Sequence, residues 1–225
     1  MNKAFLPYDV YERHKKIGEF IESSQTVLDV GGELHHLSQF SSSAKIIVAN
    51  LTGGDVVIKK DKLSFSNNSF DIVCAIDVLE HIVRNKRKQF IENLIKVAKK
   101  KVIFSFPLGT PQHLKYEKET QVFLKKKGKN VTYLEEHIRN GLPTKEEVDN
   151  LTKQFKRKIF FSGNIFINKY LFRFFIFDPQ IKFLRKTVYC FKLFFNLLTN
   201  PLFYVFLGDR EYSKSVNRAY LLIEK

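Results

Sequence analysis

The chain has 225 residues, 44% of them hydrophobic, with 38 Lys and Arg against 23 Asp and Glu for a net charge of +15. That length and apolar content exclude a wholly disordered chain and predict one domain with a full core. The positive excess points to an anionic partner or a solvated basic surface, and two cysteines exclude a disulfide framework or a cysteine-based zinc site.

Residues 8–22 are predicted as a helix, with Tyr11, His14, Ile17, Phe20 and Ile21 at helical spacing. Residues 26–30 follow as a short buried strand ending at the Gly31–Gly32 turn, and residues 45–50 and 55–58 read as two more. Residues 70–76 make a fourth strand, residues 86–99 a helix with one apolar side, and residues 101–106 a fifth strand closed by Pro107. Strands alternating with helices predict parallel βαβ units in a doubly wound sheet. Residues 108–142 look less regular, and 107–142 form an insertion on the substrate side. Thr144 to Glu147 is a capping box that starts another helix, residues 158–162 are a sixth strand, and residues 219–223 are the last.

Between those two strands lies a Phe-rich segment, 164–212, which Pro179 and Pro201 should divide into short helices. Its most apolar stretch, 187–207, is broken by Lys192, Asn196, Asn200 and Pro201, so no clean membrane span is expected. The segment reads as a helical lid or as an interfacial dock, with Lys182, Arg185, Lys186 and Lys192 meeting anionic headgroups. The aromatics fall here rather than among the basic clusters at 84–88 and 99–101, which argues against a nucleic-acid partner. Residues 1–11 lack a basic-then-apolar leader layout, so a cytoplasmic location is expected, peripheral at the inner membrane face if the segment docks.

A doubly wound sheet binds its ligand beyond the carboxyl ends of its first strands, where Asp29 and Gly31 sit. The run Val27 to Phe40, the stretch Asp61 to Asp71, the Asp77-Val-Leu-Glu-His-Ile82 segment and the closing Arg218 to Lys225 occur in an order that resembles class I S-adenosylmethionine (SAM)-dependent methyltransferases of the small-molecule type. The resemblance covers residues 8–106 well, and 142–163 and 217–225 more loosely. It implies a single Rossmann-like α/β domain over 1–225, about seven strands with the last antiparallel, carrying the helical insertion. It also implies SAM as cofactor. Asp29, Gly31 and Gly32 would lie beside its methionyl part, Asn50 at the ribose, Asp61 and Leu63 flanking the adenine, and Asp77 facing it across the cleft.

The sequence departs from the family where Glu33 and His35 stand for small residues and Asn50 for an acid. An Asn amide can both accept from and donate to a hydroxyl but lacks the charge that strengthens such bonds. His81, just after the fourth strand, is the candidate catalytic base for an oxygen acceptor, or it packs the following helix. His35, His36 and His137 are weaker bases, and no ligand spacing points to a metal. The expected activity is methyl transfer to an O or N acceptor on a small or lipid-linked molecule. A degenerate scaffold of the same fold is the alternative, and an NAD-dependent oxidoreductase fits the 77–82 segment and the closing strand less well.

Overall fold

A computed structural model describes residues 2–41, 44–59, 63–129 and 131–225. Helix α1 (Tyr8–Glu19) leads into β1 (Thr26–Val30), followed by β2 (Lys45–Asn50) and a two-residue β3 (Val56–Val57). Then come β4 (Phe70–Ile76), α2 (Arg87–Val97) and β5 (Ala98–Pro107). The chain continues through α3 (Pro111–Lys126), α4 (Thr132–Asn140), α5 (Lys145–Thr152) and β6 (Lys156–Ser162). Helices α6 (Ile165–Ile176) and α7 (Lys182–Leu207) precede the closing β7 (Arg218–Glu224).

The seven strands form one sheet in the order β3-β2-β1-β4-β5-β7-β6, parallel from β3 through β5, with β7 antiparallel to both its neighbours. Side chains alternate across the pleat, and this sorts the core into two layers. Leu28, Val30, Val73, Phe104 and Leu221 face α2 and α5, while Val27, Ile72, Cys74, Ile103 and Tyr220 face Ile17 of α1. The order reverses at β1 and β4, and a doubly wound sheet takes its ligand beyond the carboxyl ends of the strands at such a point.

Two expectations are corrected. Residues 108–142 are not irregular: Pro111 starts α3 at a position where its missing N–H costs nothing, Thr110 caps that helix by accepting from the His113 amide, and Gly141 ends α4 at a φ of 72°. Pro179 does separate α6 from α7, but Pro201 lies inside a continuous 26-residue helix. Asn196 and Asn200 pin that helix just before the proline, their Nδ2 groups donating to the carbonyls of Phe5 and Leu6 at 2.9 Å. The residues expected to break the apolar stretch are thus the ones that anchor it, and Lys182–Leu207 is long and apolar enough to cross a membrane.

Candidate active site

The β1 turn is built on a buried acid. Asp29 ends β1 fully buried, and among the described residues neither carboxylate oxygen has a hydrogen-bond partner. Burial pushes its carboxyl up from the ordinary 3.8 to about 7. Two glycines make room around it. Gly31 turns the chain at φ 80°, where a Cβ would lie 2.5 Å from Val78, and a Cβ on Gly32 would lie 2.1 Å from an Asp29 oxygen.

Asn50 reaches the same loop from β2, its Nδ2 donating to the carbonyls of Gly31 and Gly32 at 3.3 and 3.0 Å while Oδ1 accepts from the Leu51 amide at 2.7 Å. Its donors therefore brace the turn, leaving only acceptor capacity for a ribose hydroxyl. Glu33 points to solvent with 77% of its side chain exposed, beside His36 at 3.3 Å. His35 is also exposed and holds a φ of 69°, the conformation that a glycine adopts freely. Neither side chain is buried beneath the turn. Leu63 is half-buried against the core, and Asp61 lies outside the described residues.

Asp77, at φ 54° just past β4, does not stand free. Arg13 of α1 donates to it at 2.8 Å, Arg218 at the start of β7 grips both its oxygens, and the Ser105 hydroxyl donates at 3.3 Å. Burial opposes ionisation, but the charges of Arg218 and Arg13 outweigh it and hold the carboxyl well below the usual range. Asp77 is thus a structural junction of four elements, α1, β4, β5 and β7, rather than an acid free of protein partners.

The polar network continues beyond it. Tyr220 donates to the buried Glu12 at 2.8 Å. Past Asp77, Glu80 is 1% exposed, with one oxygen unpartnered among the described residues, and burial followed by the Asp77 charge pushes its carboxyl up. His81 bonds through Nδ1 to Glu136 at 2.7 Å, and His137 through Nδ1 to Glu117 at 2.7 Å, with the two rings 4.9 Å apart. The turn that carries His81 is fixed from below: Asn140 donates to its carbonyl, and the fully buried Arg87 joins Ile82, Gly141 and Glu147.

Asp29, Gly31, Gly32 and Asn50 thus meet at the β1 turn, and Asp77 follows the neighbouring β4 with His81 a turn beyond it. The sequence reading passed over Arg13, Glu117, Glu136 and Arg218. Arg218 was signalled by being a charge at the mouth of an apolar strand, whereas the others lie on helices whose faces only the packing reveals.

Residues 21–106 match a family model described as "Methyltransferase domain". No curated protein matches the chain in sequence. Among solved structures, a SAM-dependent methyltransferase from Thermotoga maritima superposes with a TM-score of 0.55 at 11% identity, over 98% of this chain and 92% of that one. One from Archaeoglobus fulgidus gives 0.54 at 14% identity, covering 97% and 94%. The plantazolicin methyltransferase BpumL, in complex with SAH, gives 0.52 at 12% identity, covering 97% and 85%. The fold is that of the class I SAM-dependent methyltransferases.

BpumL holds SAH, the demethylated form of SAM, and one feature of the present site suits SAM. A buried, unpartnered carboxylate under a glycine turn suits a ligand that brings a cationic ammonium group, and Asp29 is that carboxylate.

Proposed function

We propose that the chain transfers a methyl group from SAM to an oxygen or nitrogen acceptor on a small or lipid-linked molecule. The observation that carries this is Asp29, held without a partner beneath the Gly31–Gly32 turn at the point where the strand order reverses. SAM supplies an activated sulfonium methyl. Asp29 would receive the ammonium end, the two glycines would let the backbone approach it, Asn50 Oδ1 would accept a ribose hydroxyl, and Asp61 and Leu63 would border the adenine. The helices of 107–142 would hold the acceptor in line, where positioning contributes most of the rate. His81, oriented by Glu136, would take a proton from the acceptor. Calorimetry with SAM and SAH tests the reading: saturable heat from both is expected, whereas no heat at millimolar ligand would reduce the chain to a scaffold of this fold.

A second observation favours a membrane-associated acceptor. Helix α7 is inverted for a helix in water: Asn196 and Asn200 are 2% and 0% exposed, whereas Phe183 is 81% exposed and Phe194, Leu198, Leu202, Val205 and Phe206 also face outward. Buried amides and a solvent-facing apolar stripe suit a helix lying in a bilayer interface. Lys182, Arg185 and Lys186 at its start would meet anionic headgroups. On this reading the protein works in the cytoplasm, peripheral to the inner face of the membrane. Co-sedimentation with phosphatidylglycerol vesicles, but not with neutral phosphatidylcholine vesicles, is expected. Substituting Phe183, Leu198 and Val205 together by Asp should abolish it, and vesicle binding that survives those changes would refute the dock.

A further inference from the structure

We propose that Glu80, His81 and His137 bind a divalent transition-metal ion of the zinc or manganese type beside the cofactor crevice, with an open coordination position for the acceptor. Each of the three presents a ligand atom, and these atoms lie within 4.8 Å of one another. Ligands of a tetrahedral ion at about 2.0–2.1 Å stand roughly 3.3 Å apart, so the side chains need to close by no more than about 1.5 Å.

The hydrogen bonding favours a cation. A carboxylate only accepts, so Glu136 and Glu117 fix the hydrogen of each imidazole on Nδ1 and leave the Nε2 lone pairs for a ligand. This is the carboxylate–histidine arrangement that orients metal-binding imidazoles and raises their basicity. Among the described residues the His137 Nε2 is buried and unpartnered, and so is one Glu80 oxygen, in residues 6% and 1% exposed. Buried acceptors brought close together repel unless something positive lies between them. A proton would serve one pair, whereas a metal ion serves all three groups. Two imidazoles and one carboxylate make a three-ligand set that leaves at least one position free, as in catalytic rather than structural sites.

The pattern was not visible as a motif because His137 lies on α4, more than fifty residues beyond His81 on the turn after β4. If the methyl-transfer reading holds, on which this part alone rests, the open position takes the acceptor's hydroxyl or phenolic oxygen. The metal ion would lower that oxygen's pKa, and His81 would act as a ligand rather than as the base. The substrate class then narrows to oxygen acceptors, best those with two neighbouring oxygens that chelate.

The test uses the full chain after dialysis against EDTA, with ZnCl2 and MnCl2 titrated separately by calorimetry and CoCl2 added for its visible absorption. One ion per chain at micromolar or tighter affinity and a Co2+ spectrum of low coordination number are expected. His137→Ala and Glu80→Gln should each weaken binding at least 100-fold, and Glu117→Gln about 10- to 100-fold through the imidazole it orients. Circular dichroism confirms that each variant folds, and Glu117→Gln carries the test should either ligand variant fail to do so. No binding at 1 mM of either ion, or binding that all three variants leave unchanged, would overturn the proposal. SAM titrated into the EDTA-treated protein separates the two readings. SAM binding without metal binding refutes the metal site alone, and metal binding without SAM binding refutes the cofactor reading alone.

Discussion

Replacing Asp29 by Asn is expected to stabilise the folded chain while weakening its hold on SAM. Burial raises the Asp29 carboxyl from 3.8 to about 7, and at 1.36 kcal/mol per pK the difference is about 4 kcal/mol. The folded state keeps this proton where the unfolded chain has lost it. Stability therefore falls as pH rises from about 4 to 7, and the whole penalty is present above 7. A carboxamide inherits the same unpartnered position as the protonated acid but carries no charge at any pH. Asp29→Asn should match the wild type near pH 4 and exceed it by up to about 4 kcal/mol at pH 8, or roughly 8–16 °C in Tm for a chain of this size. The ligand works in the opposite sense. A cationic ammonium favours the ionised acid, so wild-type affinity for SAM should weaken about tenfold per pH unit between 7 and 5, and the Asn variant should bind weakly without that slope. Thermal unfolding and calorimetry at pH 5, 6, 7 and 8 measure both. A variant less stable than the wild type at pH 8, or a flat wild-type affinity across the range, would refute the argument.

Two further substitutions test the architecture around the crevice. His35→Gly relieves a left-handed backbone at φ 69° whose side chain is exposed, and it should raise Tm by 2–4 °C, about 1 kcal/mol; a lower Tm would show that the imidazole makes a contact worth more than the strain. Arg218→Met leaves Asp77 with Arg13 as its one ion-pair partner among the described residues, and losing one partner of a buried pair should cost about 3 kcal/mol in urea unfolding. An unchanged midpoint would mean that Asp77 is not the junction its contacts describe.

The sheet was legible because its strands are short β-branched runs bounded by turns, and burial on both faces leaves such runs little other conformation. Thr144 could be read as a cap for the same reason, since its hydroxyl and the Glu147 amide are three residues apart and meet through local geometry alone. Residues 108–142 escaped because α3 and α4 are polar helices whose buried residues include the titratable His113, Glu117 and His137. An apolar-periodicity reading treats those as surface. Helix α7 failed in the opposite way: its Asn side chains look like interruptions until the carbonyls of the N-terminal arm supply their partners. At the crevice, Asp29 and the glycines follow from one local turn, whereas the Asp77 junction joins α1, β4, β5 and β7 and so has no local signature.

Helix α1 gives the outward face of α7 a route to that junction. Asn196 and Asn200 hold Phe5 and Leu6, the Tyr8 hydroxyl donates to the Phe203 carbonyl at 3.1 Å, and five residues later Arg13 donates to Asp77. Five helical residues span about 7.5 Å, so a shift of α7 on docking reaches the cleft wall through a single rigid element. Coupling free energies of this kind change affinity about 5- to 150-fold and act equally in both directions. Phosphatidylglycerol vesicles are therefore expected to tighten SAM binding at least fivefold, and SAM to tighten vesicle binding by the same factor. Arg13→Ala should remove the mutual effect yet leave vesicle binding intact, because Arg13 bonds to Asp77 and not to α7. Equal SAM affinities with and without vesicles would show that α7 and the crevice act independently, and a mutual effect that persists in Arg13→Ala would place the route elsewhere than α1.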